Sequence, residues 1–173
     1  MAYSYIEPFL KQVSLMPDDW VTTALMVFGG AGLLGSIAFS KYYNRNRKLF
    51  ITVNVAAMAL CLLLLYPVSS GFLPVIMLLA VWGATATAYN VAMQSNMILV
   101  TTPESTPVAM SIFSGIFNLG IGSGAFFGGT ICSDLSISYI GLAGGVLALI
   151  GLVYWVARLG NRIEPKDTLD KYL

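Results

Sequence analysis

The chain has 173 residues, of which 57% are hydrophobic and only 10% carry a charge, and its formal net charge is +1. Because a soluble domain has about 25% charged residues, this composition excludes an ordinary soluble globular protein. Histidine is absent, which removes the common metal-binding and acid–base constellations. We find no nucleotide-binding glycine loop and no nucleophile elbow either, so we expect no enzyme, no cofactor and no metal.

The chain opens with a short apolar segment that ends near Lys11. At about 1.5 Å per residue, the helix before Lys11 reaches about 15 Å, half of a hydrocarbon core about 30 Å thick. A signal peptide fits badly, because there is no basic n-region and Glu7-Pro8 lies inside the segment. We interpret residues 1–13 as a spanning helix whose first half is absent from this chain.

Long runs without any charged residue follow this segment. Since about 18 apolar residues suffice to cross a bilayer, each run is long enough for a spanning helix. The run from Leu49 to Pro103 is long enough for two helices, with a turn at Tyr66–Gly71. The runs are continuous rather than alternating, which favours helices over barrel strands. The predicted fold is an all-α membrane bundle over residues 1–158, with complete spans at 20–40, 49–66, 72–100, 107–131 and 136–157 and a tail at 159–173.

Basic residues are concentrated on one side of the predicted bundle. They occupy the loop between the 20–40 and 49–66 spans and the tail after the last span, namely Lys41, Arg45, Arg47, Lys48, Arg158, Arg162, Lys166 and Lys171. Cytoplasmic loops carry the excess of lysine and arginine. We therefore expect a multi-pass protein of the cell inner membrane with a cytoplasmic C-terminus.

Polar side chains inside two predicted spans recur at spacings of three and four residues, which places each set on one helix face. The sets are Thr87, Asn90 and Gln94 in the 72–100 span, and Ser111, Ser114 and Asn118 in the 107–131 span. One interpretation is that they tie helices together through hydrogen bonds. The other is a cavity for a neutral polyhydroxyl ligand, since amides supply both donors and acceptors.

Two sets of glycines mark close helix contacts. They are Gly29, Gly32 and Gly35 in the 20–40 span, and Gly120, Gly124 and Gly128 in the 107–131 span. Glycine lets helix backbones approach closely, so we expect tight packing on both faces. Flat glycine faces would also let helices rock against each other, as a transporter requires.

Glu7 is the acid that is predicted to lie at membrane depth. A carboxylate there costs about 2.5–3.5 kcal/mol on insertion scales, so it has a specific role. Tyr3, Glu7 and Lys11 share one helix face, and a Glu7–Lys11 ion pair near the outer surface is one interpretation. The other is a carboxylate that contacts substrate or exchanges protons.

Three segments carry a resemblance to a known family: Ala2–Phe9 (AYSYIEPF), Phe28–Ser36 (FGGAGLLGS) and Val108–Gly122. They resemble bacterial sugar efflux transporters of the major facilitator superfamily, in particular the SotB-type exporters of arabinose and related sugars. Ala2–Phe9 is similar to the seventh transmembrane helix of these transporters and Phe28–Ser36 to their eighth. Val108–Gly122 (VAMSIFSGIFNLGIG) is similar to their eleventh and is the most specific of the three. The resemblance extends from Ala2 to about Arg158.

The resemblance implies the C-terminal six-helix half of a twelve-helix fold, beginning partway into helix seven, with an N-terminal six-helix half as its missing partner. It also implies sugar export by antiport against protons, from a cavity at the membrane midplane between the halves. On this basis the candidate substrate-binding residues are Tyr3, Glu7, Asn90, Gln94 and Asn118, and Glu7 is also the candidate for proton coupling.

One family motif is present only in part. The superfamily repeats a loop motif of the form Gly-x-x-x-Asp-Arg-x-Gly-Arg-Arg, and here Gly35 is present while Phe39 replaces the aspartate. This departure bears on the loop's role as a conformational latch and leaves the fold unaffected. Two other functions stay open: export of drugs or nucleosides, and a non-transporting accessory membrane subunit.

The distribution of basic residues makes a topological prediction. A reporter fused after Leu173 should be active only if it functions in the cytoplasm, because the basic 41–48 loop and the basic tail lie on the same side of the predicted bundle. The measurement is a pair of fusions, one to a cytoplasmic and one to a periplasmic reporter. Periplasmic activity at this position would overturn the predicted orientation.

Overall fold

The computed structural model describes residues 2–159, and every regular element within that range is helical. The elements are a 3-10 turn at Ala2–Tyr5, α1 at Ile6–Gln12, α2 at Asp18–Tyr42, α3 at Arg47–Leu64, α4 at Phe72–Val100, α5 at Thr106–Asp134, a 3-10 turn at Ile137–Tyr139, α6 at Ile140–Tyr154 and a π-helical turn at Trp155–Leu159. Within the described range, five helical segments are long and apolar enough to cross a membrane. The predicted all-α membrane fold is therefore confirmed. The predicted tail at 159–173 lies outside the described residues, except for Leu159.

The helix ends follow from local sequence. Pro17 precedes α2, whose first turn carries Asp18 and Asp19, and carboxylates interact favourably with the partial positive charge of a helix N-terminus. Asn46 caps α3, because its Oδ1 accepts a hydrogen bond from the backbone N–H of Leu49 at 2.8 Å. Extended Gly71 immediately precedes α4. These signals separate the helices with short turns, so that consecutive long helices run in opposite directions.

The closest contact between helices joins α2 and α4. A Cβ atom added to Gly35 of α2 would overlap the backbone oxygen of Ala84, and one added to Gly83 of α4 would overlap the backbone oxygen of Phe28. One glycine from each helix thus admits the backbone of the other. Gly32 also faces α4, where an added Cβ would lie 2.7 Å from Thr87 Oγ1. Gly29, which shares the sequence pattern, faces open space.

An aromatic pair and a hydrogen bond extend the α2–α4 contact toward the two ends of the bundle. Trp20 and Phe72 meet edge to face at 4.3 Å between ring centroids, close to the N-terminal ends of the two helices. At the other end, buried Tyr43 donates a hydrogen bond from its hydroxyl to Asn96 Oδ1 at 2.6 Å. The two helices are therefore parallel and are joined at both ends as well as in the middle.

A second pair, α3 and α6, packs beside the first. The indole Nε1 of Trp155 donates to Thr52 Oγ1 at 3.0 Å. Near the opposite end, a Cβ added to Gly141 would lie 2.7 Å from the backbone oxygen of Leu62. Glycine again allows close packing, and α3 also packs against α4, which joins the two pairs into one bundle.

Helix α5 is held differently from the other long helices. Gly128 is its one buried residue, and it lies against the ring of Tyr5. The Tyr5 hydroxyl donates to the backbone oxygen of Ala125 at 2.8 Å. At the other end of the helix, the hydroxyls of Thr101 and Thr106 lie 2.8 Å apart. The middle of α5 has little packing, and Gly120 has no atom near the position of an added Cβ.

The α2–α4 contact predicts that a single added methyl group lowers stability when it is placed at the contact. Gly35→Ala and Gly83→Ala should each lower stability by about 1–3 kcal/mol, since the methyl group meets backbone that cannot rotate away. The measurement is thermal unfolding of the purified protein in detergent. Gly29→Ala is the matched control, because it adds the same methyl group six residues from Gly35 in open space. Equal melting temperatures for Gly35→Ala and Gly29→Ala would contradict this account of the contact.

The Tyr5 contact makes a separate prediction about α5. Tyr5→Phe keeps the ring against Gly128 and removes the hydrogen bond to Ala125, at a cost of about 1 kcal/mol. Hydrogen–deuterium exchange in α5 peptides should rise while exchange in α2 and α4 peptides stays constant. Tyr42→Phe, at a tyrosine that is half exposed, is the control. Unchanged exchange in α5 would show that the hydroxyl does not restrain this helix.

Candidate functional site

A cavity of about 620 Å³ lies beside the α2–α4 contact and is lined by the N-terminal turn and by residues of all five long helices, α2 to α6. Its inner wall includes Phe28, Trp82 and Leu62, and its outer edge includes Tyr3 and Phe117. Trp82 is 5% exposed, whereas Tyr3 is 64% and Phe117 is 40% exposed. The cavity is therefore a deep groove that is open on the side of the N-terminal turn and α5.

Aromatic rings form a continuous surface in this groove. Tyr3 and Phe28 lie 5.6 Å apart between ring centroids, and Phe28 meets Trp82 edge to face at 5.2 Å. Such pairs contribute about 0.5–1.5 kcal/mol beyond the burial of their area. The rings are thereby held in place. Because Trp82 is almost fully buried, Tyr3 and Phe28 are the rings that offer an accessible face to a flat or ring-shaped ligand.

Polar groups enter the cavity from one face of α4. Thr87 and Asn90 line it, and Gln94 stands one turn beyond Asn90 and donates a hydrogen bond from its Nε2 to Asn90 Oδ1. This bond engages Asn90 Oδ1, so the group that Asn90 can offer in the cavity is its NH2 donor. Gln94 itself does not line the cavity. None of the described residues that line the cavity is charged.

Glu7 lies outside this cavity, in a separate surface cleft that it shares with Lys11 and Asp18. The Lys11 Nζ lies 3.0 Å from Glu7 Oε1 and 3.1 Å from Asp18 Oδ1, so one ammonium bridges α1 and α2. The Glu7 side chain is 57% exposed. Of the two interpretations of Glu7, the structure contains the ion pair with Lys11.

Asn118 lies neither in the cavity nor in the Glu7 cleft. It is exposed on α5, and its Nδ2 donates to the backbone oxygen of Ser114 at 2.9 Å. Its neighbours Phe117 and Ile121 line the cavity, whereas Asn118 does not. Of the five predicted site residues, the structure thus brings Tyr3 and Asn90 together in the cavity, places Gln94 behind Asn90, and leaves Glu7 and Asn118 elsewhere.

The rings of Tyr3, Phe28 and Trp82 form the aromatic wall of the cavity, and the sequence pattern did not reveal Phe28 and Trp82. Trp82 stands at a spacing of four plus four residues from Asn90, so it lies on the same face of α4. Extending the polar face of this helix toward its N-terminus would have found it. Phe28 and Phe117 carry a weaker signal, because aromatic residues in the middle of a span are also ordinary packing residues.

The loop between α2 and α3 is held by aromatic contacts. Phe39, which replaces the aspartate of the loop motif, lies 4.6 Å from Tyr43 and 6.2 Å from Phe50 between ring centroids. The guanidinium of Arg47 lies over the Tyr43 ring at 5.6 Å. The loop is therefore attached to the bundle by ring packing and a cation–π contact.

Comparison with known families agrees with this architecture. The sequence matches the family model of the Major Facilitator Superfamily over residues 2–171, nearly the whole chain. The members of this superfamily are multi-pass membrane transporters, and five candidate spans occur in the described part of this chain. The match extends across the N-terminal turn, the aromatic cavity and all six helices, and the chain belongs to the Major Facilitator Superfamily.

Proposed function

We propose that this chain forms one six-helix half of a proton-coupled exporter of neutral, arabinose-like sugars, and that the aromatic cavity is its part of the substrate site. The supporting observation is the composition of the cavity. It combines the rings of Tyr3, Phe28 and Trp82 with the polar groups of Thr87 and Asn90, and none of its described residues is charged. A charged substrate would find no counter-ion in this part of the path.

A sugar ring matches this combination of groups. Its C–H faces pack on aromatic rings, and its hydroxyls both donate and accept hydrogen bonds. The Asn90 amide, whose Oδ1 accepts from Gln94, supplies a donor, and the Thr87 hydroxyl one turn earlier supplies either function. Because each of these hydrogen bonds replaces one with water, their net contribution is modest, at about 0.5–1.5 kcal/mol each.

Export of drugs or nucleosides is the second candidate. The observation that favours it is the predominance of apolar residues in the cavity, whose volume of 620 Å³ lies within the range of about 300–1,000 Å³ that is usual for sites of drug-sized ligands. A nucleoside base would stack on the same rings as a sugar. The two candidates differ in their dependence on Asn90, which a sugar requires more than a largely apolar drug does.

For proton coupling, we propose that the protonation state of Glu7 decides how Lys11 is shared. Glu7 and Lys11 both lie in α1, and Lys11 also contacts Asp18 at the start of α2. A protonated Glu7 would no longer attract Lys11 and would leave it to Asp18 alone, which changes the balance of charge between the two helices. Tyr3, one turn before Glu7, lines the cavity, and this connects the ion pair with the substrate site.

A second six-helix bundle is the proposed partner on the open side of the cavity. Exposed Tyr3 and Phe117 border that side, and α5 presents exposed Ser111 and Asn118 next to them. Among the described residues, the Ser111 and Asn118 side chains bond only to backbone of their own helix, so part of their hydrogen-bonding capacity stays unused. Polar groups with unused capacity are unfavourable in hydrocarbon, so this face is better covered by protein than by lipid. In this arrangement the basic 41–48 loop is cytoplasmic and the assembly lies in the cell inner membrane.

The transport proposal predicts a loss of sugar efflux when the amide is removed. In cells that make this chain together with an N-terminal six-helix half, Asn90→Ala should lower proton-dependent efflux of radiolabelled arabinose about tenfold, the equivalent of one lost hydrogen bond of about 1.4 kcal/mol. Asn44→Ala, at an exposed asparagine of the α2–α3 loop, is the matched control. Glu7→Gln should make any remaining efflux insensitive to a proton uncoupler.

The same assay separates the alternatives. Cells that make this chain alone should show no efflux, because alternating access rocks one half against the other around a shared site. Efflux of a nucleoside or an apolar drug that survives Asn90→Ala would favour the second candidate. Failure of every substrate in the paired cells, with both halves present in the membrane, would favour the accessory subunit.

A further inference from the structure

A second cleft, of about 340 Å³, lies at the end of the bundle opposite the α2–α3 loop. It is formed by the turn that follows α3 and by the turn that leads into α6. The residues that matter for its chemistry are Leu63, Tyr66, Ser136, Ser138, Tyr139 and Leu142. None of them lines the aromatic cavity or belongs to the Glu7 cleft, so the proposed transport function leaves this feature unexplained.

The leucines and the hydroxyl-bearing residues of this cleft lie at different depths along the bundle. Leu63 lies in the last turn of α3 and Leu142 in the first turn of α6, so both are within helices that span the membrane. Tyr66 and Ser136 lie just beyond the two candidate spans, and Ser138 and Tyr139 are among the first residues of the second span, so all four hydroxyl groups belong to the ends of the spans. The cleft therefore has an apolar floor on the membrane side and hydroxyl groups at its mouth.

The two sides of the cleft are fixed relative to each other. Below it, an added Cβ at Gly141 would lie 2.7 Å from the Leu62 backbone oxygen, and one at Gly145 would lie 2.7 Å from the side chain of Leu63. Above it, Ser136 Oγ accepts a hydrogen bond from the Ser138 backbone N–H at 3.3 Å. Close helix packing and a capped turn thus hold the cleft in its shape without a ligand.

The exposure of the two tyrosines gives the cleft its chemical character. Tyr66 is 54% and Tyr139 is 52% exposed, one on each side. Tyrosine is enriched at membrane interfaces because its ring is apolar and its hydroxyl is wet. Together with the two serines, these residues place four hydroxyl groups around one opening, and each hydroxyl both donates and accepts.

We propose that this cleft binds the headgroup of a zwitterionic phospholipid. The phosphate accepts hydrogen bonds from the tyrosine and serine hydroxyls at the mouth, and the first carbons of the acyl chains lie on Leu63 and Leu142. Because none of the described lining residues is charged, an anionic headgroup would have no counter-ion there, whereas the ammonium of phosphatidylethanolamine brings its own charge balance. A soluble sugar does not use the apolar floor, which lies within the span of the helices.

The test is lipid binding by the full chain in detergent, measured by native mass spectrometry during titration with phosphatidylethanolamine. Tyr66→Phe combined with Tyr139→Phe keeps both rings and removes two donors, and it should weaken binding about tenfold or more. Tyr154→Phe is the matched control, since this tyrosine is 60% exposed at the other end of α6. Ser138→Ala, a smaller change, should weaken binding severalfold and serves if the double variant does not fold.

Stronger binding of phosphatidylethanolamine than of phosphatidylglycerol, lost in the double variant and retained in Tyr154→Phe, would support the proposal. Equal binding by the double variant and the control would overturn it. So would equal affinity for diacylglycerol, which has no phosphate, or displacement of the lipid by free arabinose, which would make the cleft a sugar site.

Discussion

The backbone contact between α2 and α4 is the constraint from which the candidate site follows. Gly83 admits the backbone oxygen of Phe28, and this contact brings the Phe28 ring against Trp82, its neighbour on α4. Gly32 faces Thr87, which stands beside Asn90 in the cavity. In hydrocarbon there is no hydrophobic force between helices, so such close van der Waals packing decides which helices associate. The aromatic wall and the polar face of the cavity are thus two results of one helix crossing.

The fold could be predicted from the sequence because the membrane imposes a simple rule on it. Spanning segments must be apolar and long, and charge-free runs separated by turns such as Tyr66–Gly71 satisfy that rule without any knowledge of packing. The glycines of α2 show that a sequence pattern does not predict which residues of a helix contact its neighbour. Gly29, Gly32 and Gly35 form one pattern, but only the last two meet α4, because the crossing of two helices selects residues that a periodic pattern alone does not distinguish.

The site could be predicted in part for a related reason. Helical periodicity correctly groups residues of one helix, as Asn90 and Gln94 illustrate through their hydrogen bond. Periodicity gives no information about which faces of different helices meet. Asn118 therefore carries the same polar signal as Asn90 yet lies on the exposed side of α5, and Glu7 carries a stronger signal yet is engaged by Lys11. Partner choice between helices depends on packing, and the amino-acid sequence of one segment does not contain it.

The aromatic attachment of the α2–α3 loop has a consequence for how this loop responds to its surroundings. An aspartate at position 39 would act through charge, and dissolved salt screens exposed charges over a Debye length of about 8 Å at physiological ionic strength. Phe39 acts instead by packing on Tyr43 and Phe50, and salt hardly affects that packing. Apolar burial weakens on cooling, however, because it is largely entropic near room temperature. A ring in place of an acid at position 39 thus makes this part of the attachment sensitive to temperature, and the Arg47–Tyr43 contact remains the part that salt can screen.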